Sequence, residues 1–96
     1  MPSFSQMRDY YRLQREAKRV KKELKNIHIE ADAQGVHVVV NAEQEILEIV
    51  IAPDVPQEKI PSLLKDALNR ALGKAQTVAA QHMQGVMGEM GLPTGQ

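Results

Sequence analysis

The sequence predicts an α+β fold of order α-β-β-β-α: a three-stranded antiparallel meander with long N- and C-terminal helices, assembled as a homodimer. Three observations predict it. Apolar residues recur at spacings of 3 and 4 up to Ile27, the period switches to two between Ile27 and Ala52, and helical spacing returns after Pro56. The 96 residues suit one domain, taken as 1–96 with a flexible tail from about 91 to 96, where Gly91-Leu92-Pro93-Thr94-Gly95-Gln96 offers no helical pattern.

In the first element Tyr10, Leu13, Ala17, Val20, Leu24 and Ile27 fall at alternating spacings of 3 and 4, the a and d positions of a heptad repeat. No Pro or Gly interrupts it after Pro2, and Ser3 or Ser5 can cap it. On this register Asp9, Glu16 and Glu23 sit at g beside the seam. Arg8, Arg12, Arg15, Lys18, Arg19, Lys22 and Lys25 fall at b, c or f, the face turned away from it.

Period two follows in three stretches, Ile27–Asp32, Val36–Asn41 and Glu45–Ala52, dense in the β-branched residues that suit strands. Gln34-Gly35 and Asn41-Ala42-Glu43-Gln44 are short enough for hairpin turns. One face of the meander is polar, and the other needs a helix to cover it. That helix starts near Pro56 or Pro61, since proline is tolerated in a first turn. Its stripe of Ile60, Leu64, Ala67, Leu68, Ala71, Leu72, Ala75, Val78, Ala79, Met83 and Val86 is long enough for the task. A three-stranded sheet keeps two open edges, and the first helix has a seam that wants a partner, so a homodimer is expected.

Composition removes whole classes of function. With no cysteine there is no disulfide framework, thiolate nucleophile or Cys-based metal site. His28 and His37 can share a pair of strands but lack further ligands at metal spacing, and His82 falls within the apolar stripe of the second helix, where packing is the ordinary role. Serine occurs only at 3, 5 and 62, without a nucleophile elbow, and no Gly-rich phosphate loop exists. The expectation is a protein that is not an enzyme and has no cofactor, metal or small-molecule substrate. No apolar run approaches the ~20 residues of a membrane span, and no signal peptide is evident, which favours the cytoplasm. Met83, Met87 and Met90 read as adaptable packing at the end of the second helix.

Lys+Arg and Asp+Glu number 12 each, but the balance hides a segregation. Residues 1–26 carry eight basic and three acidic groups, a net +5; residues 27–58 carry seven acids and no base, a net −7; the rest is +2. Seven bases on one helical face, with no acid among them, suit a phosphate backbone better than a mixed, merely solvated exterior. The aromatics Phe4, Tyr10 and Tyr11 all lie at the N-terminus, which argues against a base-stacking module. The partner expected is double-stranded DNA, held through Arg8, Arg12, Arg15, Lys18, Arg19, Lys22 and Lys25 with little sequence preference. The rival is a dimeric protein-interaction module or chaperone whose basic face only keeps it in solution.

From about Met7 to Pro93 the chain resembles the YbaB/EbfC family of bacterial nucleoid-associated proteins. The carriers are the charged first helix with Glu23-Leu24, the run Ala33-Gln34-Gly35-Val36-His37-Val38-Val39-Val40-Asn41, Ile49-Val50-Ile51-Ala52-Pro53, Leu64 through Asn69-Arg70-Ala71, and the closing Met90-Gly91-Leu92-Pro93. The resemblance implies a tweezer-like α-β-β-β-α homodimer that binds duplex DNA in the nucleoid and influences its organisation or gene expression. This chain departs from the family pattern in lacking a second glycine beside Gly35, in having Asn41-Ala42 for an Asn-Gly turn, and in having Ala52 for an Asp.

Overall fold

A computed structural model describes the backbone of residues 4–89 and the side chains of residues 10–88. Helix α1 spans Phe4–Lys25, strands β1, β2 and β3 span His28–Ala33, Val36–Asn41 and Ile46–Ile51, and α2 spans Ile60–Glu89 after a 3₁₀ turn at Gln57–Lys59. The sheet order is β1-β2-β3 with both pairings antiparallel, so the α+β meander expected from the periodicities is the architecture found. Pro61 lies in the first turn of α2, where its missing N–H costs nothing. The expected tail from about 91 to 96, and Met90, lie outside the described residues.

Alternation sorts the sheet into two faces. Ile29, Ala31 and Ala33 of β1 and Val36, Val38 and Val40 of β2 are buried on one of them, beneath α2. Ala67, Ala71 and Ala75, spaced one helical turn apart and wholly buried, let the helix lie close on those valines. Here the structure departs from the expectation that α2 covers the sheet. It packs on β1 and β2, while all six residues of β3 remain exposed. The reason is width: a helix about 10 Å across covers two strands about 4.8 Å apart and leaves a third bare. Ile46, Ile49 and Ile51, which pair with Val40, Val38 and Val36, therefore continue the apolar face beyond the helix.

The turns show how the chain manages without the expected glycines. Between β1 and β2, Gln34 itself takes a left-handed φ of 47°, followed by Gly35 at 97°. Gly35 admits no replacement: a Cβ there would stand 2.7 Å from Cγ2 of Val55. In the β2–β3 turn the buried Asn41 side chain takes the organising role. Its Oδ1 accepts from the backbone N–H of Glu43 and of Glu45, both at 3.0 Å, and its Nδ2 donates to Glu45 at 2.8 Å. Opposite Val39 and Val40 the register shifts by one, with Leu47 the extra residue on β3.

The heptad seam is only half used within the chain. Val20 and Leu24 are buried and Ile27 is half-buried, but Tyr10 and Leu13 are 60% and 48% exposed and Ala17 is exposed too. The end of α1 is fastened by backbone: the N–H of Ala42 donates to the carbonyls of Leu24 and Ile27, each at 3.1 Å, and so ties the helix end and the segment after it to the β2–β3 turn.

Candidate nucleic-acid interface

The basic residues singled out in the sequence lie on a single helix. Arg12, Arg15, Lys18, Arg19, Lys22 and Lys25 all belong to α1 and are exposed; Arg8 falls within the same helix, and its side chain lies outside the described residues. The local sequence accounts for this arrangement, since the seam residues at a and d leave b, c and f to solvent. Between Arg12 and Lys25 the charged face is about 20 Å long at 1.5 Å per residue.

Not all these cations are equally available. Arg19 is engaged along the helix, with Nη2 at 2.6 Å from Glu16 Oε2 and Nη1 at 3.5 Å from Glu23 Oε1. Its charge is thus partly neutralised before any ligand arrives. Lys22 and Lys25 occupy the last turn, where they also complement the negative end of the helix dipole. Arg15 and Lys18 share with Tyr11 and Gln14 a shallow notch of about 240 Å³. The sequence reading passed over Tyr11 as a member of this face, although its b position, one turn before Arg15 and two before Lys18, was the available signal. Gln14 donates to the Tyr10 hydroxyl at 2.9 Å, and the Tyr10 and Tyr11 rings meet edge to face at 6.0 Å.

Arg70 and the histidines serve elsewhere. Arg70 of α2 donates to Asp66 at 3.1 Å and to the backbone carbonyl of Asp32, so it ties α2 to the end of β1. On the outer sheet face, His37 Nδ1 lies 2.7 Å from Asp32 Oδ1 and Nε2 lies 3.5 Å from Glu30 Oε1. The hydrogen bond to Asp32, with the charges of Asp32 and Glu30 behind it, raises the His37 imidazole above its ordinary range despite some desolvation. His28 is exposed on the same face. His82, expected to pack within the stripe of α2, is half-buried and reaches across to α1, with Nε2 2.6 Å from Glu23 Oε2.

Among the described residues no group of three or more His, Cys, Asp and Glu side chains is placed to hold a metal ion, and no helix is long and apolar enough to cross a membrane. What the surface offers is a charged helical face and a bare apolar strand.

Residues 1–90 match the model of the YbaB/EbfC DNA-binding family. A nucleoid-associated protein of Pelotomaculum thermopropionicum is 33% identical over 93 residues, covering 91% of this chain and 89% of the relative. One from Dictyoglomus thermophilum is 32% identical over 98 residues, covering 96% and 94%. The crystal structure of an uncharacterized protein from Helicobacter pylori shares the fold with a TM-score of 0.69 at 18% identity, covering 80% of this chain and 88% of that one.

Proposed function

Because this chain belongs to the YbaB/EbfC DNA-binding family, we propose that it is a nucleoid protein that binds duplex DNA as a homodimer and holds the phosphate backbone through the outer face of α1. The observation that supports the contact is the run of exposed bases Arg12, Arg15, Lys18, Lys22 and Lys25, with Arg8 and Arg19 extending it, on a face that carries no acid. Side chains of this kind neutralise phosphates and carry little sequence information, so binding is expected to be nearly indifferent to sequence. The family is a DNA-binding family and not a known enzyme family. Localisation follows from the ligand: the nucleoid, within the cytoplasm.

The homodimer rests on β3. Ile46, Leu47, Ile49, Val50 and Ile51 are 37–50% exposed, an apolar strand that is also a free sheet edge. Left in water, such a strand invites indiscriminate association, and a second copy of the same surface closes it by symmetry. The half-used seam at Tyr10, Leu13 and Ala17 adds apolar area of its own.

Titration of two unrelated duplexes, followed by fluorescence anisotropy at several salt concentrations, tests the phosphate reading. Five neutralised phosphates correspond to a slope of log K on log salt of about −4 to −5. A slope near zero would remove the mechanism. A thousandfold preference for one duplex would reveal base readout, and the rival reading as a protein-interaction module predicts no salt-dependent DNA binding at all.

A further inference from the structure

We propose that His82 is a positioning residue for the basic helix: through Glu23 it sets the direction in which α1 leaves the body and so the way its charged face is presented to DNA. The inference rests on the DNA-binding reading for its functional half and on tertiary geometry for the rest.

The described part of α1 before Val20 has little to lean on. Residues 10–15 and 17–19 are exposed, and Glu16 is half-buried. Packing begins at Val20 and Leu24, which are buried together with Val86 of α2. Apolar contact of this sort is non-directional, so three aliphatic side chains hold the helix down without fixing its roll or swing. Two polar attachments supply direction. One is the Ala42 N–H on the carbonyls of Leu24 and Ile27, at the very end of the helix. The other comes from α2, 59 residues away in sequence, where His82 Nε2 meets Glu23 Oε2 at 2.6 Å, beside Leu24 on the helix. The β2–β3 turn thus holds the backbone at the helix end while α2 holds a side chain beside it, so two separate elements fix the end of α1 where one contact alone would leave it free to pivot.

The chemistry of the pair suits this role. A carboxylate only accepts, so Nε2 is the donor whether the ring is neutral or charged. The other Glu23 oxygen, Oε1, faces Arg19, which also binds Glu16. A relay of alternating charge therefore runs from α2 into the middle of α1 and stiffens the stretch that carries Arg15, Lys18 and Lys22. The notch around it, about 360 Å³ and lined by Arg19, Glu23, Gln81, His82, Gly85 and Val86, leaves the helices room to shift if the contact is lost. His82 lies on α2 and is only 29% exposed, so it stands apart from the charged face whose presentation it controls.

The test is a comparison of H82L, which keeps bulk and removes the donor, with H82Q, which keeps a donor. The chain has no cysteine, so Q14C and Q76C introduced together give a clean pair of spin labels, diluted with unlabelled chain to suppress distances between copies. H82L is expected to broaden the distance distribution and weaken duplex binding about three- to tenfold, the scale of one partly exposed hydrogen bond to a charged group. H82Q is expected to restore both. A distribution as narrow in H82L as in the parent overturns the proposal, as does a broadened one with unchanged affinity. If H82L loses helix content by circular dichroism, E23Q replaces it, with a smaller broadening expected because a neutral acceptor remains. A parent that fails to bind duplex at low salt overturns the DNA reading instead, and the distance measurement still decides whether His82 orients α1.

Discussion

The stretch of α1 from Tyr10 to Arg19 and the whole of β3 are both largely uncovered in the protomer, yet they are opposites in chemistry. α1 presents Arg12, Arg15 and Lys18 to water, whereas β3 presents Ile46, Leu47, Ile49, Val50 and Ile51. Charged side chains in water are at rest: a polyanion recruits them by releasing its counterions, and salt sends it away again. Apolar side chains in water are under continuous pressure to be buried, at about 1.5–3 kcal/mol for each large aliphatic residue. Exposure alone therefore says little about use. On the reading proposed above, the chemistry of what is exposed separates a reversible ligand surface from a lasting contact between copies.

The strongest way to break this comparison is to exchange the chemistry of the apolar partner. I49K combined with I51K is expected to give a folded monomer, since both positions are already exposed in the protomer. Self-association should weaken by at least about a hundredfold, because a lysine ammonium would have to be desolvated at the interface. Sedimentation equilibrium reads this directly; a dimer of unchanged affinity would place the interface elsewhere.

The reciprocal experiment reverses charge on α1. R15E, K18E and K22E together are expected to leave the dimer and the helix content intact, because none of these side chains belongs to the buried cluster. DNA affinity should fall by about a hundredfold or more, with carboxylates standing where phosphates are expected. If the triple variant binds as the parent does, the contact surface lies outside α1, and Lys65 and Lys74 of α2 become the next residues to test.

Two smaller effects sharpen the β3 side. N41A removes both acceptor bonds and the donor bond that shape the turn into β3, and is expected to cost about 1–3 kcal/mol in urea unfolding. N41D, which keeps the acceptor, should lose less. The last concerns pH. His37 pairs across the sheet with Val50 of β3 on one side and Asp32 of β1 on the other. Its raised pKa means that the folded state holds the proton more tightly than the unfolded chain. The resulting stabilisation is present in full below about 6.5 and fades as pH rises through the folded value. The parent should accordingly exceed H37Q in melting temperature by a small margin at pH 5.5 and lose that margin at pH 8.5.

Most of the fold was legible because it is written in local periodicity: the 3-4 spacing of α1, the alternation of β1, and the stripe that includes Ala67, Ala71 and Ala75. What escaped depended on lateral dimensions and on long-range pairing. Spacing says that Ile49 and Ile51 face the same side as Val38 and Val36, but not that one helix is too narrow to reach them. It marks His82 as lying on the packed side of α2, and a separation of 59 residues in sequence hides the carboxylate it meets. In the same way the heptad pattern correctly announced a helix with one apolar edge, while leaving open that only Val20, Leu24 and Ile27 find partners inside the chain. The bases at b, c and f were identified by position; the engagement of Arg19 with Glu16 and Glu23 follows from acids at g one helical turn on either side.

The molecule extends over 64 × 24 × 19 Å, with the excess of bases in α1 and the excess of acids in the segment of the sheet. With a formal net charge of zero, it has no monopole to draw it toward a polyanion from afar; what it has is an electric dipole. In physiological salt, fields decay over about 8 Å, a fraction of that length, so an approaching duplex senses one end at a time. The field exerts a torque before it exerts a net pull, turning the basic helix inward and the acidic sheet outward. On the contact proposed for α1, encounters that begin on the sheet would be repelled, and the orientation would be selected during approach, before any side chain reached a phosphate.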